Sequence, residues 1–270
     1  MPALTRTDID LSQVVGGQDG SLLGWWLLDE EAASDACLDL SNNGNDGTPA
    51  GSSGANNLPQ PIADVPIVTP VERSRDFDGT DDSINLGDVP MDATPTGLTV
   101  SCWIKPQTIS GRHDIVNKYS VSGGRREFTL YQNGSRLEWT VQEVPTAFNI
   151  ASVLVTSNYL VVGTWYQIVA TFAADAEMKL YSNGSEIASL TVASVPSNFV
   201  NTTQEVYIGT GPSVPFFDGI IGNVRLYNRA LSSSEVTSIY TGDIALGSTP
   251  PTRRSLHLET RLNTRLRTSL

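Results

Sequence analysis

The feature that most constrains the fold is a phrase that occurs twice. Residues 130–137 read LYQNGSRL and residues 180–187 read LYSNGSEI. An Asn-Gly pair between runs of alternating apolar residues is the strongest short-range signal for a tight hairpin, because a type I′ turn needs a positive φ at both turn positions. The residues on both sides of Asn133 and Asn183 alternate with a period of two. Both phrases therefore predict antiparallel β-hairpins.

Further strand candidates follow at short intervals. They are LTVSCWIK at 98–105, SVLVTS at 152–157, WYQIVATF at 165–172, QEVYIGT at 204–210 and GNVRLYN at 222–228. Many short strands separated by Gly, Asn, Pro and Ser turns are typical of a sandwich or jelly roll. One short helix is predicted at 232–242, with Ser232 as its N-cap, Glu235 three residues later and Gly242 as its stop.

The charge and hydropathy of the chain exclude two kinds of partner. The net charge of −12 argues against general nucleic-acid binding, because neutralising phosphates needs a surplus of Lys and Arg on the binding face. No apolar run approaches the ~18 residues that a membrane span needs. We therefore expect a soluble protein that binds no nucleic acid and does not span a membrane.

Two further features leave the cellular compartment open. The N-terminal stretch MPALTRTDIDLSQVV lacks the basic start and the continuous apolar run of a secretory signal. Cys37 and Cys102 could form a disulfide, or each could be a small buried hydrophobic residue.

Seven phrases follow one another in a recognisable order over roughly residues 22–243. They are GWWLLDE at 24–30, LDLSNNGNDGT at 38–48, FDGTDDSINLGD at 77–88, LTVSCWIKP at 98–106, GTWYQIVATF at 163–172, LYSNG at 180–184 and FDGIIGNVRLYNRALSSSEV at 217–236. Together they resemble the laminin G-like jelly-roll domain of the concanavalin A-like lectin/glucanase superfamily. The resemblance implies an all-β, two-sheet antiparallel jelly-roll sandwich with one short helix near its C-terminal end.

The chain is accordingly divided into three parts. Residues 22–247 are expected to form the laminin G-like domain, and residues 1–21 an extended N-terminal arm. Residues 248–270 are expected to form a basic C-terminal β-arm, which follows the break GSTPPT.

The sequence gives no support for catalysis. Glucanase relatives hydrolyse glycans with carboxylates on one strand, in a Glu-x-Asp-x-x-Glu pattern, and no such strand occurs here. The two histidines, His113 and His257, support no Ser/His/Asp or Cys/His arrangement. We therefore expect a protein that is not an enzyme, and a glycoside hydrolase is the least favoured alternative.

Two loops are rich in the oxygen ligands that calcium prefers. The candidate ligands are Asp39, Asn42, Asn43, Asn45 and Asp46 in LDLSNNGNDG, and Asp78, Asp81 and Asp82 in FDGTDD; the preferred ones are Asp39, Asn42, Asn45, Asp78 and Asp82. Many members of the family hold a structural calcium in similar loops, so the resemblance implies Ca²⁺ as a structural cofactor. The chain departs from the family pattern at Gly222-Asn223, where an acidic residue often follows the apolar pair. The alternative is that Asn, Asp and Gly only form turns.

The last fifteen residues alternate strictly in character. Every even position from 256 to 270 is Leu or Thr. The expected arm residues are Leu256, Leu258, Leu262, Leu266, Leu270, Arg261 and Arg265. Five arginines against one glutamate give residues 253–270 a local charge of +4. The period of two favours a strand, whereas a helix with Leu at every fourth position, or a disordered basic tail, is the alternative.

A strand at 256–270 has no later segment with which to form a hairpin. It must join a sheet edge of its own domain or of a neighbouring subunit, and its basic face suits an acidic partner. The leading hypothesis is therefore a non-catalytic structural or decoration subunit of a larger assembly, and a virion is the favoured kind of assembly.

Such a subunit would display its jelly roll for attachment to glycans or proteins. Its partners would be neighbouring copies or capsid and tail proteins, together with cell-surface glycans, and its location the virion surface or the extracellular space. The alternative is a secreted or cell-surface carbohydrate-binding module with structural calcium. No ligand-binding residue stands out in the sequence.

Overall fold

The computed structural model describes residues 11, 14–51, 58–66, 73–92, 95–120, 125–142, 150–191, 195–197, 201–211 and 215–248 of the 270-residue chain. The predicted arm residues Leu256, Leu258, Arg261, Leu262, Arg265, Leu266 and Leu270 lie outside the described residues. The β-arm and its boundary with the domain therefore stay predictions.

The described residues form two antiparallel sheets, which confirms the predicted fold class. The strands are β1 Leu22–Trp26, β2 Thr48–Ala50, β3 Gln60–Ile62, β4 Ser74–Asp78, β5 Ser83–Asn85, β6 Gly97–Pro106, β7 Arg112–Ser120, β8 Arg125–Asn133, β9 Arg136–Gln142, β10 Ile150–Leu154, β11 Tyr166–Ala173, β12 Glu177–Ser182, β13 Ser185–Thr191, β14 Val206–Ile208 and β15 Asp218–Tyr227. One helix, α1, spans Ser233–Ser248.

The two sheets use the strands in different orders. The eight-stranded sheet runs β13-β12-β11-β6-β15-β4-β3, and β1 pairs with β15 off this path. The seven-stranded sheet runs β10-β9-β8-β7-β14-β5-β2. We call the first the helix-covered sheet and the second the open sheet, for reasons given below. Both predicted hairpins are present, as β8–β9 and β12–β13.

The two Asn-Gly phrases turn at different positions. In the second hairpin Asn183 and Gly184 have φ values of 51° and 77°, as a type I′ turn requires. In the first hairpin Asn133 pairs with Arg136, so the turn residues are Gly134 and Ser135. Only Gly134 has a positive φ there, 61°, which matches a type II′ turn. The Asn-Gly pair itself thus forms the turn of the second hairpin, whereas the turn of the first hairpin begins one residue later, at Gly134.

The main core lies between the two sheets. Trp26 and Trp139 are completely buried in it, and the Trp139 ring lies 5.9 Å from that of Phe128. Cys37 and Cys102 are both buried and carry free thiols, so they act as small hydrophobic residues. Burial raises the pKa of both thiols, that of Cys102 to about 12.

The helix begins as predicted but ends later. The Ser232 N–H donates to the Glu235 carboxylate at 2.8 Å, and the Glu235 N–H donates to Ser232 Oγ at 3.3 Å, which is the predicted capping box. The predicted stop at Gly242 is wrong, because α1 continues to Ser248. A glycine inside a helix costs only about 1 kcal/mol, which tertiary packing can offset.

Helix α1 covers the outer face of the helix-covered sheet. Val236 and Ile239 pack into a second apolar cluster with Val169, and the Tyr240 ring stacks on Trp103 at 6.0 Å. Strand β1 adds Trp25 to the same cluster. In the described part of the chain, no helix lies on the open sheet. The chain has no described helix long and apolar enough to cross a membrane.

Candidate functional site

A cleft of about 400 Å³ opens at one corner of the open sheet. It is formed by the β8–β9 turn, the loop before β7, the end of β10 and the loop that follows β10. Its lining residues are Ile109, Gly111, Asn133, Gly134, Ser135, Arg136, Glu138, Leu154 and Asn158. The first Asn-Gly phrase of the sequence therefore contributes four of the nine.

Backbone hydrogen bonds hold the walls of this cleft together. The Gly134 N–H donates to the carbonyl oxygen of Gly111 at 2.7 Å. The Ser135 carbonyl oxygen accepts from the N–H groups of Tyr159 at 2.9 Å and Leu160 at 2.8 Å. The β8–β9 turn is thus tied to both neighbouring loops.

The cleft combines donors, acceptors and a small apolar surface. Arg136, Asn133 and Asn158 are exposed, Glu138 is half-buried, and Leu154 is an exposed apolar residue. Arg136 and Glu138 carry opposite charges, so their contributions to the charge of the cleft cancel. Such a lining can hydrogen-bond a ligand in several directions while contacting a small apolar surface on it.

A stack of side chains fixes the position of Glu138. The guanidinium carbon of Arg112 lies 3.9 Å from the centre of the Tyr131 ring, and Arg112 Nε donates to Asp114 Oδ1 at 2.9 Å. Tyr131 lies directly opposite Glu138 in the β8–β9 register. Burial and a hydrogen bond to the Glu138 carboxylate raise the pKa of Tyr131. The Tyr131 hydroxyl therefore stays protonated and donates to Glu138.

A second candidate site is the acidic loop after β4. Carboxylate oxygens of Asp78, Asp81 and Asp82 lie within 4.8 Å of one another. Asp82 is 2% exposed, and its Oδ2 accepts the Asp78 N–H at 3.0 Å. Its other oxygen, Oδ1, is buried and has no hydrogen-bond partner. Burial is the main cause that raises the pKa of Asp82 to about 6.

This arrangement fits a hard cation. A buried carboxylate oxygen without a partner is costly, and a cation beside it would remove that cost. Calcium takes six to eight oxygen ligands from carboxylates, carbonyls and water, and the three carboxylates would supply part of such a set. The structure thus brings together the three candidate ligands of this loop, Asp78, Asp81 and Asp82.

In the other loop with predicted calcium ligands, LDLSNNGNDG, the Asp39 carboxylate accepts hydrogen bonds from the backbone. Asp39 is completely buried, its Oδ1 accepts the N–H groups of Trp25 at 3.0 Å and Ser41 at 2.9 Å, and its Oδ2 accepts that of Asn45 at 3.0 Å. Asn42 is exposed with a φ of 70°. The turn alternative accounts for these contacts, and Asp39 is not part of the acidic group.

The departure from the family phrase at Asn223 also has a structural role. Asn223 Oδ1 accepts the indole N–H of Trp25 at 2.7 Å on the helix-covered sheet. It therefore anchors β1 rather than facing the acidic loop.

The sequence did not single out the cleft residues. The signal was present, because alternation along β9 places Arg136 and Glu138 on the face opposite Leu137 and Trp139, which are in the core. What the sequence could not show is that Asn158 and Gly111 meet this strand.

Comparison with known proteins agrees with this architecture. The Laminin_G_3 family model, described as concanavalin A-like lectin/glucanases superfamily, matches residues 78–237, more than half of the chain. No curated protein sequence matches significantly.

Three solved structures are similar in fold. The binding domain of Paraclostridial Mosquitocidal Protein 1 is 15% identical with a TM-score of 0.62, over 83% of this chain and 52% of that one. Domain 4 of AbnA, a GH43 extracellular arabinanase from Geobacillus stearothermophilus solved with arabinotriose, is 18% identical with a TM-score of 0.61, over 82% and 98%. The receptor binding domain of botulinum neurotoxin D is 15% identical with a TM-score of 0.61, over 86% and 54%.

The chain spans about half the length of the two toxin domains and nearly all of the arabinanase domain. At these identities the likeness concerns the fold. The match of the family model, the two antiparallel sheets and the order of the sequence phrases agree. The chain belongs to the concanavalin A-like lectin/glucanases superfamily.

Proposed function

We propose that this protein is a non-catalytic carbohydrate-binding jelly roll, and that it binds a neutral oligosaccharide in the cleft at the β8–β9 turn. The observation that carries the proposal is the mixed lining of that cleft. Arg136, Asn133 and Asn158 provide donors, Glu138 and the amide oxygens provide acceptors, and Leu154 provides an apolar contact.

Sugars suit such a lining because each hydroxyl both donates and accepts hydrogen bonds, whereas the C–H groups of the ring pack on apolar side chains. The volume of about 400 Å³ falls within the usual range for small ligands. A net charge of −12 repels anionic ligands at long range, and Arg136 and Glu138 offset each other locally. A neutral sugar is therefore favoured over an acidic one. The arabinanase domain of similar fold was solved with arabinotriose, a neutral trisaccharide.

The test is calorimetric titration with arabinotriose and with a panel of neutral oligosaccharides. Arg136→Ala should weaken binding at least about tenfold, because a charged hydrogen-bond donor contributes about 1.5–3 kcal/mol. Lys179→Ala is the matched control, since Lys179 is a basic residue of β12 in the other sheet, and it should bind like the wild type. Equal affinities for both variants would contradict the assignment of the cleft.

The absence of catalysis is part of the proposal. Glycoside hydrolases flank the scissile bond with two carboxyl groups, whereas the lining of this cleft contains one, Glu138. The protein should release no reducing sugar from any polysaccharide that it binds.

We also propose that a structural calcium ion binds Asp78, Asp81 and Asp82. The buried, unpartnered Oδ1 of Asp82 supports this assignment. The ion would rigidify the loop between β4 and β5 rather than take part in a reaction, and its thermodynamic test is developed in the Discussion.

We further propose that a larger assembly displays the domain, and that residues 256–270 attach it by strand addition. A virion is the favoured kind of assembly. The sheet edges differ in how well they could accept a strand. Edge strands β2 and β3 have three residues each and contain Pro49 and Pro61, which blunt an edge. Edge strands β10 and β13 have five and seven residues and no proline, so they are the more open edges, and β13 is the longer.

Deletion of residues 249–270 tests this proposal. The truncated protein should keep its circular dichroism and its melting temperature, but it should lose self-association or incorporation, measured by light scattering on purified material. Unchanged association would exclude the docking role of the segment and leave the carbohydrate-binding proposal intact.

A further inference from the structure

His113 is held between two backbone carbonyl groups. Its Nδ1 lies 2.5 Å from the carbonyl oxygen of Phe216, and its Nε2 lies 2.7 Å from that of Ser110. The residue is 7% exposed, so water does not take the place of either contact. The two carbonyl groups belong to different segments, the loop before β7 and the segment before β15.

The two contacts require a charged ring. A carbonyl oxygen only accepts hydrogen bonds, and neutral imidazole carries a hydrogen on one nitrogen alone. Both contacts are therefore hydrogen bonds only when His113 is an imidazolium ion. When the ring is neutral, a nitrogen lone pair faces one of the carbonyl oxygens, and that contact becomes repulsive.

One of these contacts lies at the wall of the cleft. Ser110 stands between Ile109 and Gly111, both of which line the cleft. Gly111 has a φ of 79°, and its carbonyl oxygen accepts the N–H of Gly134. A shift of the Ser110 carbonyl group would therefore move the wall to which the β8–β9 turn is attached.

The contact with Phe216 is made to a segment that other hydrogen bonds hold in place. Phe217, next to Phe216, is completely buried, its N–H donates to the Gly209 carbonyl oxygen at 2.8 Å, and its own carbonyl oxygen accepts the Gly79 N–H at 3.1 Å. Phe216 is thus next to a residue that is hydrogen-bonded on both sides. In the loop at Ser110, Gln132 Nε2 donates to the Thr108 carbonyl oxygen at 2.9 Å and the Gly134 N–H donates to that of Gly111, so His113 holds the carbonyl group between these two contacts.

We propose that His113 is a positioning residue of the cleft, and that its doubly protonated ring holds the 109–111 loop in the binding-competent position. This rests on the proposed carbohydrate function of the cleft. Oligosaccharide affinity should accordingly be higher when His113 carries two protons than when it carries one.

The charged groups around His113 lie on β7, β15 and β4. His113 interacts electrostatically with Asp114 on β7 and with Asp218 on β15. Asp114 is also paired with Arg112, and Asp218 lies opposite Asp78 in the β4–β15 register.

Two measurements over a series of pH values from about 5 to 8 test the proposal. The first needs no ligand: it follows the side-chain proton signals of His113 by NMR, together with the hydrogen-exchange protection factor of the Gly134 amide. The second is the calorimetric affinity for arabinotriose. Wild-type protection and affinity should both fall as His113 loses its proton, the affinity by about threefold to tenfold, as expected for the loss of one hydrogen bond.

His113→Gln should show a lower affinity that does not depend on pH in this interval, because its amide donates in only one direction to the two carbonyl groups. His257→Gln, which removes the second histidine of the chain, is the control and should keep the wild-type profile. Should His113→Gln fail to fold, the wild-type titration still decides the question.

The outcomes separate the two proposals. Gly134 protection that does not change while His113 titrates overturns the positioning role, whether or not a sugar binds. Protection that follows His113 supports the positioning role of the ring. If no oligosaccharide binds at any pH while protection follows His113, the carbohydrate function of the cleft is overturned and the hydrogen-bonded connection to Phe216 stands.

Discussion

Replacing Asp82 by asparagine should stabilise the protein when calcium is absent. Asp82 is nearly inaccessible, and its Oδ1 has no hydrogen-bond partner. Burial raises its pKa to about 6 from an ordinary value of about 3.9. A shift of about two units corresponds to about 3 kcal/mol.

The sign of the pH dependence follows from the direction of this shift. A raised carboxyl pKa means that the folded state binds the proton more tightly than the unfolded state, so the contribution to stability is complete below about pH 4. That contribution is lost as the pH rises through about 6. In EDTA at pH 8, Asp82→Asn should therefore raise the free energy of unfolding by up to about 3 kcal/mol relative to the wild type, since its amide is neutral and can still accept the Asp78 N–H.

Calcium should reverse this order. An ion that binds only the folded state stabilises it by about 4.1 kcal/mol at a free concentration of 1,000 Kd, which exceeds the difference of about 3 kcal/mol. The wild type should gain that amount, and Asp82→Asn should gain little, because it lacks one of the three carboxylates. Urea denaturation in EDTA and in excess calcium measures both effects.

Asp35→Asn is a matched control, because Asp35 is an exposed carboxylate that accepts one backbone N–H, from Ala32 at 2.9 Å. It should show neither effect. If Asp82→Asn is less stable than the wild type in EDTA at pH 8, and calcium stabilises both proteins equally, the assignment of the ion to this loop is refuted.

Two further predictions concern buried charge and the helix cap. Lys118 is completely buried, with Nζ 2.8 Å from Asp88 Oδ1 and 3.5 Å from Glu127 Oε2, so Lys118→Met should cost about 3–5 kcal/mol in urea denaturation. Adding Glu127→Gln should recover part of that loss, and strictly additive losses would contradict the coupling. The hydrogen bond from Arg229 lowers the pKa of Glu235 to about 2, so Glu235→Gln should cost about 1 kcal/mol at pH 7. That difference should disappear as the pH falls from about 4 to 2, and a difference that persists at pH 2 would argue against the ion pair.

The parts of the fold that were predictable are those set by local chemistry. The capping box at Ser232 and Glu235 needs only residues three apart, and the φ preferences of Asn and Gly favour the turn at Asn183-Gly184. Both turns also have distant contacts: the Asn183 N–H donates to the Gln167 carbonyl oxygen at 2.9 Å, and the Gly134 N–H donates to that of Gly111, 23 residues away in the chain. The local pattern, which is the same in both phrases, does not show which distant residue each turn will contact.

The candidate ion site shows the same limit. Asp39 and Asp82 stand in similar loops of Asn, Asp and Gly, and the sequence offers no basis for separating them. The structure separates them by their partners: three backbone N–H groups satisfy Asp39, whereas Asp82 retains a buried oxygen with none. Ligand capacity depends on which amides the folded chain brings near, and this is a tertiary property.

Chemical-shift mapping tests the assignment of the cleft most directly. Labelled protein titrated with arabinotriose, and then with other neutral oligosaccharides, should show saturable shifts at Gly111, Asn133–Arg136 and Asn158, with the Arg136 side chain among the largest. Shifts confined to the Asp78–Asp82 loop or to the face under α1, or no saturable shift with any neutral oligosaccharide, would contradict a sugar site at the β8–β9 turn.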